Sequence, residues 1–588
     1  IGIDLGTTNT TLGFVHLPED EDSHPSPQIF ALPQAVRPGD VQERNALPSF
    51  LYLARDGELP EGSMDVPWAS GRSFMVGEAA RERGAEVPLN LVSSAKSWLS
   101  HGAVDRRAPL LPHGAPEGVD KVSPVAAAVR YLEHLRDAWN QAHAEQPLEG
   151  MQVYLTVPAS FDAVARDLTL EAATQAGLQD VVLLEEPQAA FYAWLGQLGD
   201  GWRDQLSTGD RVLVCDVGGG TSDFSLIEVK DDGEGNLTLE RVAVGEHVLL
   251  GGDNMDLALA HVLHQKLIAA GKKIDAGQQR ALVTQARRAK EKLLSDGSLQ
   301  AVPITLLGRG SKLIGNKIKT ELLQSELQSV LVQGFFPECG REDRPTEARR
   351  TGFMEIGLPF AADAAITRHL AKFLHEHAGG HLPTHVLFNG GVFNSPLLRE
   401  RLLSVLGSWG APPKVLTGTD NDLAVARGAA YYGAARQQGG IRIRGGVARS
   451  YYVGIESAVP AVPGIPPPMR ALCVVPIGME EGSDADVPGG TLGLVVGEPA
   501  EFRFLTSTTR REDTIGDLLD EYTWPEHLSE TSPITATLQA EGLEPGTLVP
   551  VRLQVKLTAI GTLEIWSVEA EGDRRWRLEY NVREEERA

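Results

Sequence analysis

Two short stretches carry residue types that can do chemistry together. IDLGTTNT (3–10) places Asp4 before Gly6, Thr7, Thr8 and Asn9. CDVGGGTSD (215–223) places Asp216 before Gly218, Gly219, Gly220, Thr221 and Asp223. Glycine lets backbone approach phosphate oxygens with no Cβ in the way, and successive amides then form an anion nest. The threonine hydroxyls add donors. Asp4 and Asp216 would repel a phosphate, so a hydrated magnesium between acid and phosphate is the sensible reading. One such turn alone reads as a glycine-rich hairpin. Two matched turns with matched acids, about 200 residues apart, suggest a duplicated lobe around one ligand.

Other phosphate and hydrolase signatures are missing. GSKLIGNK (310–317) lacks the lysine position of a GxxxxGK[ST] loop, and no strand–helix GxGxxG, GxSxG or HExxH occurs. RHLAKFLHEHAGGHLPTH brings His369, His375, His377, His381 and His385 close in sequence. With no thiolate or acid pair at ligand spacing, it reads as a helix end and loop rather than a metal site.

The elements that position these residues can be read from periodicity. Strands are expected at Ile1–Asp4, Thr10–Val15, Met151–Val157, Val181–Leu184, Arg211–Cys215, Thr221–Val229 and His385–Phe388. Residues 16–46, rich in Pro and acids, read as a surface loop. Val125, Val129, Leu132, Leu135 and Trp139 recur at helical spacing, predicting a helix over 124–140. A helix from about Asp162 should stop at Gly177, and Pro187 suits a first turn. Residues 253–300 read as mainly helical, with further helices near 362–378, 395–406 and 422–435. Beyond QQGGIRIRGG the period becomes two: Val549, Val551, Leu553, Val555 and Leu557, then Trp576, Leu578, Tyr580 and Val582. That indicates an antiparallel β-sandwich, with Thr514–Asp520 a small helix or loop inside it. The expected division is 1–437, a linker at 438–446, and 447–588.

At 588 residues the chain exceeds what one core serves. A net charge of −25 argues against wrapping nucleic acid, but not against nucleotide binding. Three scattered cysteines give no disulfide framework or zinc site, and a reducing compartment fits. No run of 18 apolar residues occurs and the chain opens without a basic, apolar leader, so no membrane association is expected and a cytoplasmic location is.

The motifs, in order, resemble the actin–hexokinase–heat-shock ATPase superfamily, and more closely the seventy-kilodalton heat-shock (DnaK-like) chaperone family. IGIDLGTTNT and CDVGGGTSD look like its two phosphate loops. VYLTVPASFDAVARDLTLEAATQAGL (153–178) with LLEEPQAA (183–190) is similar to its central block. LLGGDNMD (249–256), RRAKEKLLSD (287–296), VLFNGGVFNSPLL (386–398) and NDLAVARGAA (421–430) resemble its later loops, adenine helix and closing helix. The resemblance implies an α/β fold: a bilobal actin-like ATPase domain of duplicated ribonuclease-H-like lobes, then an antiparallel β-sandwich. It implies ATP/ADP and Mg as ligands, with slow hydrolysis coupled to binding of unfolded or extended polypeptides. A J-domain co-chaperone and a nucleotide exchange factor are implied partners.

Roles follow from the same resemblance. Lys96 matches the lysine that neutralises the transferred phosphoryl. Glu186 matches the acid that positions metal and attacking water, and its helix N-terminus should favour the ionised form. Asp4, Asp216 and Glu186 would hold Mg through water, while Thr221 and Asp223 orient phosphate and nucleophile. Pro158 and Arg166 match an allosteric relay. Arg287, Lys290, Gly390, Gly391, Asn394 and Asp422 fall at nucleotide-binding positions. Three departures stand out: Arg287 where the family often has Glu, Leu294 for Ser, and Asn394 for a base-stacking Arg. IRIRGG replaces the family's acidic–apolar linker. SYYVGIES and LTAIGTLEIWSVE look like strands of the family's substrate-binding sandwich, and the chain stops at REEERA with no helical lid following, so trapping of clients under a lid is not expected. Two other readings remain: a nucleotide-dependent scaffold or exchange-factor-like module, and a small-molecule kinase of the same superfamily.

Overall fold

The computed structural model describes residues 1–581 except 18–24, 56, 116–118, 232–236, 246–247, 307–316, 347–356, 379, 439–442, 445–446, 448, 459–467, 481, 508–509, 511, 521–522, 532–533, 540–541 and 559–561. Most of the expected linker, GSKLIGNK except Lys317, and the REEERA end therefore lie outside the described residues. The chain divides into two compact units, Ile1–Arg442 and Ile443–Ala588.

The first unit is built twice on one plan. In its first lobe β1 (Gly2–Leu5) and β2 (Asn9–Phe14) form a hairpin around Gly6-Thr7-Thr8. The short helix α1 (Ala95–Leu99) and the long helix α2 (Pro124–Ala142) follow. β3 (Val153–Val157) pairs parallel to β1, α3 (Ala163–Gln175) returns the chain, and β4 (Val181–Glu185) extends the sheet into α4 (Glu186–Leu198). The order is β4-β3-β1-β2.

The second lobe repeats this. β5 (Arg211–Val217) and β6 (Ser222–Asp231) form the second glycine hairpin, and β7 (Leu237–Val244) pairs with β6. Helices α5 (Gly252–Ala269), α6 (Ala276–Ser295) and α7 (Ile366–His377) come next. β8 (His385–Asn389) lies parallel to β5, α8 (Pro396–Trp409) returns the chain, and β9 (Lys414–Leu416) leads to α9 (Ala424–Gln438). The order is β9-β8-β5-β6-β7.

Local chemistry sets the helix ends. Ser123 accepts from the Ala126 amide at 3.0 Å before Pro124, and Asp162 accepts from Ala165 at 2.6 Å. Gly177, at φ +90°, follows α3 in a conformation that side chains resist. Asp275 and Gln278 exchange bonds in a capping box for α6. The apolar stripe of α2 is buried: Val125, Val129, Leu132, Leu135 and Trp139. On β5, Leu213, Cys215 and Val217 enter one core with Phe224, Leu259, Leu293 and Phe388.

The second unit is mainly antiparallel strands, with one short helix at Trp524–His527. One sheet runs Leu518–Leu519, Met469–Val475, Ser450–Glu456, Phe504–Ser507 and Ser529–Glu530. In the other, Ser483–Asp486 and Leu492–Val496 pair with Thr547–Leu557, followed by Thr562–Glu569 and Arg575–Asn581. Tyr451, Val474 and Phe504 from one sheet share a core with Val555, Leu563, Ile565 and Leu578 from the other. The expected fold class is therefore the one the chain adopts. The stretch 514–520 holds turns and the short strand Leu518–Leu519 rather than a helix.

The expected surface loop at 16–46 is corrected. Leu32–Arg37 and Asp40–Arg44 form a hairpin. Gln34 hid its period of two: it is fully buried, donating to Ala46 O at 2.8 Å and accepting from the Glu78 amide at 3.0 Å. A polar residue in a core slot is tolerated when its bonds are made.

Candidate active site

The two glycine turns face each other. A Cβ added to Gly219 would lie 2.1 Å from Thr8 Oγ1, and one on Gly220 would lie 2.5 Å from Ser97 Oγ and 3.1 Å from Thr7 Oγ1. Only residues without a side chain let these backbones meet. Ser49 donates to Gly6 O at 2.7 Å and fixes the first turn. Behind the second, Gly252 N donates to Gly218 O at 3.0 Å and Asp253 N to Gly219 O at 2.8 Å, turning those carbonyls toward α5. Gly390, at φ +85°, brings the end of β8 against Val217 and Asp216, where a Cβ would meet the Val217 carbonyl at 2.3 Å.

Between the turns lies a cavity of about 500 Å³. Its walls include Asp4, Gly6, Thr7, Thr8, Asn9, Lys96, Glu186, Asp216, Gly218, Gly219 and Thr221. Arg287, Lys290, Gly390, Gly391, Asn394 and Asp422 line it as well. Gly220 and Asp223 do not. Asp223 lies behind the wall, 3% exposed, accepting from Ser160 Oγ at 2.7 Å. Pro158 and Arg166 are also off the cavity: Phe161 N donates to Pro158 O at 3.1 Å, and Arg166, on α3, donates to Asp162 O at 3.4 Å. Ser160 connects their loop to Asp223.

Buried charge dominates the floor. Lys96 Nζ, on α1, pairs directly with Glu186 Oε1. Burial pulls the Lys96 ammonium down, but the carboxylates of Glu186, Asp4 and Asp216 outweigh it and hold its pKa above the usual lysine range. Burial pushes Asp4 up to about 7, with Lys96 opposing and Glu186 adding. Burial also raises Glu186, against the pull of Lys96. The ionising influence expected from its helix terminus is thus overcome by desolvation. Asp216 is pushed well above the carboxylate range by burial, Glu186 and Asp223. Asp223 is raised by burial as well. A buried group of acids with one lysine among them fits a site for a cation. Among the described residues no three His, Cys, Asp or Glu converge to ligate a metal directly.

The far end of the cleft differs from a bare nucleotide pocket. Arg287 holds Asp253 Oδ1 and Asp256 Oδ2 at 2.6 Å each, and Lys290 holds Asp256 Oδ1 at 2.7 Å. Asn394 Nδ2 donates to Asp422 Oδ2 at 2.8 Å. Sequence reasoning did not single out Arg81, Asp253, Met255, Asp256 or Asn389, all of which line the cavity. Asp253 and Asp256 sit at i, i+3 inside LLGGDNMD, a spacing that puts both on one helical face. It also missed a cross-lobe ion pair: Arg241 on β7 donates to Glu185 Oε2 at 3.0 Å, with side chains 7% and 1% exposed.

Among the described residues the histidines form no cluster of three ligating side chains. His369 contacts Asp363 O, His375 pairs with Glu342 and His385 lies beside Thr384 and Asp210. The cysteines are free. No helix among the described residues is long and apolar enough to cross a membrane.

Comparison with known proteins places these features. Residues 115–338 match the family model described as Hsp70 protein. The chaperone protein HscA of Enterobacter sp. (strain 638) is 28% identical over 441 residues, covering 73% of this chain and 57% of its own length. The HscA homologue of Pseudomonas aeruginosa (strain PAO1) is 32% identical over 315 residues, 51% of this chain and 43% of its own. That of Acidithiobacillus ferrooxidans (strain ATCC 53993) is 31% identical over 352 residues, 58% and 48%. The chain spans about half the length of the curated relatives it matches.

Proposed function

We propose that this chain, a member of the Hsp70 family, is an ATP-dependent molecular chaperone that hydrolyses ATP slowly to ADP and phosphate. The observation that carries the reading is the single cleft in which both glycine turns, Lys96, Glu186, Asp4 and Asp216 meet. Residues 1–437 are assigned as the nucleotide domain, 438–446 as linker and 447–588 as the polypeptide-binding sandwich.

Magnesium, held through water by Asp4, Asp216 and Glu186, would supply charge neutralisation at the phosphates. The remaining work belongs to the chain. Backbone of the two turns and the hydroxyls of Thr7, Thr8 and Thr221 bind and orient the phosphate tail. Lys96 offers its ammonium to the phosphoryl being transferred. Glu186 holds the attacking water, and Asp223, anchored on Ser160, supports Thr221. Water adds to phosphorus as the bond to the leaving diphosphate oxygen breaks, with no covalent enzyme intermediate. Pro158 and Arg166 are assigned to carry the nucleotide state outward. Extended polypeptides are the proposed clients, a J-domain co-chaperone and an exchange factor the proposed partners, and the cytoplasm the proposed location.

The direct Lys96–Glu186 pair and the Arg287–Asp253–Asp256 cluster favour a second reading, a nucleotide-dependent scaffold with little turnover. Single-turnover ATP hydrolysis, with and without unfolded peptide, separates them. Peptide-stimulated turnover is expected; tight ATP binding without turnover supports the scaffold. Lys96→Ala should lower the hydrolysis rate by about a hundredfold or more while leaving ATP affinity within about tenfold. Unchanged turnover removes Lys96 from its role.

A further inference from the structure

The duplicated sheets repeat more than the acids. On β3, Thr156 stands opposite Asp4 of β1 and its Oγ1 donates to Asp4 Oδ1 at 3.4 Å. On β8, Asn389 stands opposite Asp216 of β5 and its Nδ2 donates to Asp216 Oδ2 at 2.8 Å. Both strand pairs are parallel, and equivalent positions carry a donor to each acid. The first contact is long and weak; the second has the length of a charge-assisted bond.

Asn389 is 2% exposed and lines the cleft. The remainder of β8 is buried, and Val386, Leu387 and Phe388 are apolar. A polar amide there needs a reason. The NH₂ faces Asp216 and the carbonyl faces away. That Oδ1 is buried and has no hydrogen-bond partner among the described residues. An unpaired buried acceptor costs about 1–3 kcal/mol, which a leucine of similar size would avoid. Ser395 Oγ, on the same wall and 4% exposed, likewise has no partner among the described residues.

We propose that Asn389 is a positioning residue for Asp216 and that its Oδ1 accepts a hydrogen bond from a water or hydroxyl that arrives with the metal–nucleotide. The inference rests on reading the cleft as a magnesium–nucleotide site. Nδ2 fixes the rotation of the Asp216 carboxylate. Oδ1 exchanges an unmet demand for a ligand contact, so the binding of metal and of nucleotide become linked at this residue.

The test is calorimetric ADP binding to the full chain in Mg²⁺ and in EDTA, for wild type, Asn389→Leu, Asn389→Ala and Asn389→Thr. Wild type is expected to bind more tightly in Mg²⁺. The Leu and Ala variants should lose about tenfold of that increment, the worth of one charge-assisted bond, and keep their EDTA affinity within about twofold. Asn389→Thr gives the second lobe the donor type of the first and should retain most of the increment. Asn389→Ala cannot clash, so it reads out even where the Leu variant unfolds. Equal increments in all four proteins overturn the proposal, as does an equal fall in both buffers. A wild type that binds in both buffers with no increment overturns it as well. A wild type that binds ADP in neither buffer overturns the cleft reading and this inference with it.

Discussion

Lys96 and His134 show opposite solutions to burying a titratable side chain. Lys96 keeps its charge because three carboxylates surround it, the arrangement that makes a lone buried cation tolerable. His134, 2% exposed on α2, instead stays neutral. Its Nε2 donates to Pro33 O at 3.0 Å, Trp68 packs edge-on at 5.2 Å, and burial with nearby Arg72 lowers its pKa to about 4. The unfolded chain titrates this histidine near 6.5. The folded form therefore prefers the neutral ring: its contribution is complete above pH 6.5 and is lost as pH falls toward 4. The difference amounts to roughly 3 kcal/mol. Urea denaturation at pH 7 and pH 4.5 should show a smaller loss of stability in His134→Gln than in wild type. An equal loss in both would place the acid sensitivity elsewhere.

At the scale of elements, the cleft depends on two helices that cross at close range. α4 carries Glu186 at its first turn, and α9 follows the loop that carries Asp422. A Cβ on Gly428 would come 1.7 Å from Ala189 O and 2.6 Å from its carbonyl carbon. Gly2 and Gly13 admit α9 against β1 and β2 in the same way, with Cβ positions 2.4 and 2.6 Å from Ala426 O. Neither backbone can yield as a side chain would. Gly428→Ala should therefore destabilise the first unit by about 3 kcal/mol or more, at the upper end for overpacking, although alanine is the better helix former. A thermal midpoint equal to wild type would mean that the helices separate readily. The Glu185–Arg241 pair adds a second tie, from the residue before Glu186 to the opposite lobe.

For the whole molecule, the chain divides into two compact units, each with buried apolar residues of its own. A ligand bound only by the folded first unit stabilises that unit by RT ln(1 + [L]/Kd), about 2.7 kcal/mol at a hundred times Kd. Saturating Mg–ADP should raise the unfolding transition reported by Trp98, Trp139, Trp194 and Trp202. The transition reported by Trp524, Trp566 and Trp576 should not gain that same increment. A nucleotide that leaves the first transition unmoved would remove the cleft from nucleotide binding. The protection also offers a readout separate from hydrolysis, which suits a protein proposed to turn over slowly.

The sequence by itself determined the elements whose signal is local. Glycine turns flanked by acids, the stripe of α2, the helix start near Asp162, and the alternation of Val549–Leu557 each follow from a few adjacent side chains. The hairpin at 32–44 escaped because Gln34 satisfies its polar groups with residues distant in the chain. Only tertiary structure decided which residues share the cleft wall. Asn389 lies 173 positions from Asp216 and meets it through a parallel register that no local pattern encodes. Asp253 and Asp256 likewise acquire Arg287 and Lys290 only when α5 packs on α6. Charge types are written in the chain, but desolvation and pairing belong to the fold, and these set how each acid at the site titrates.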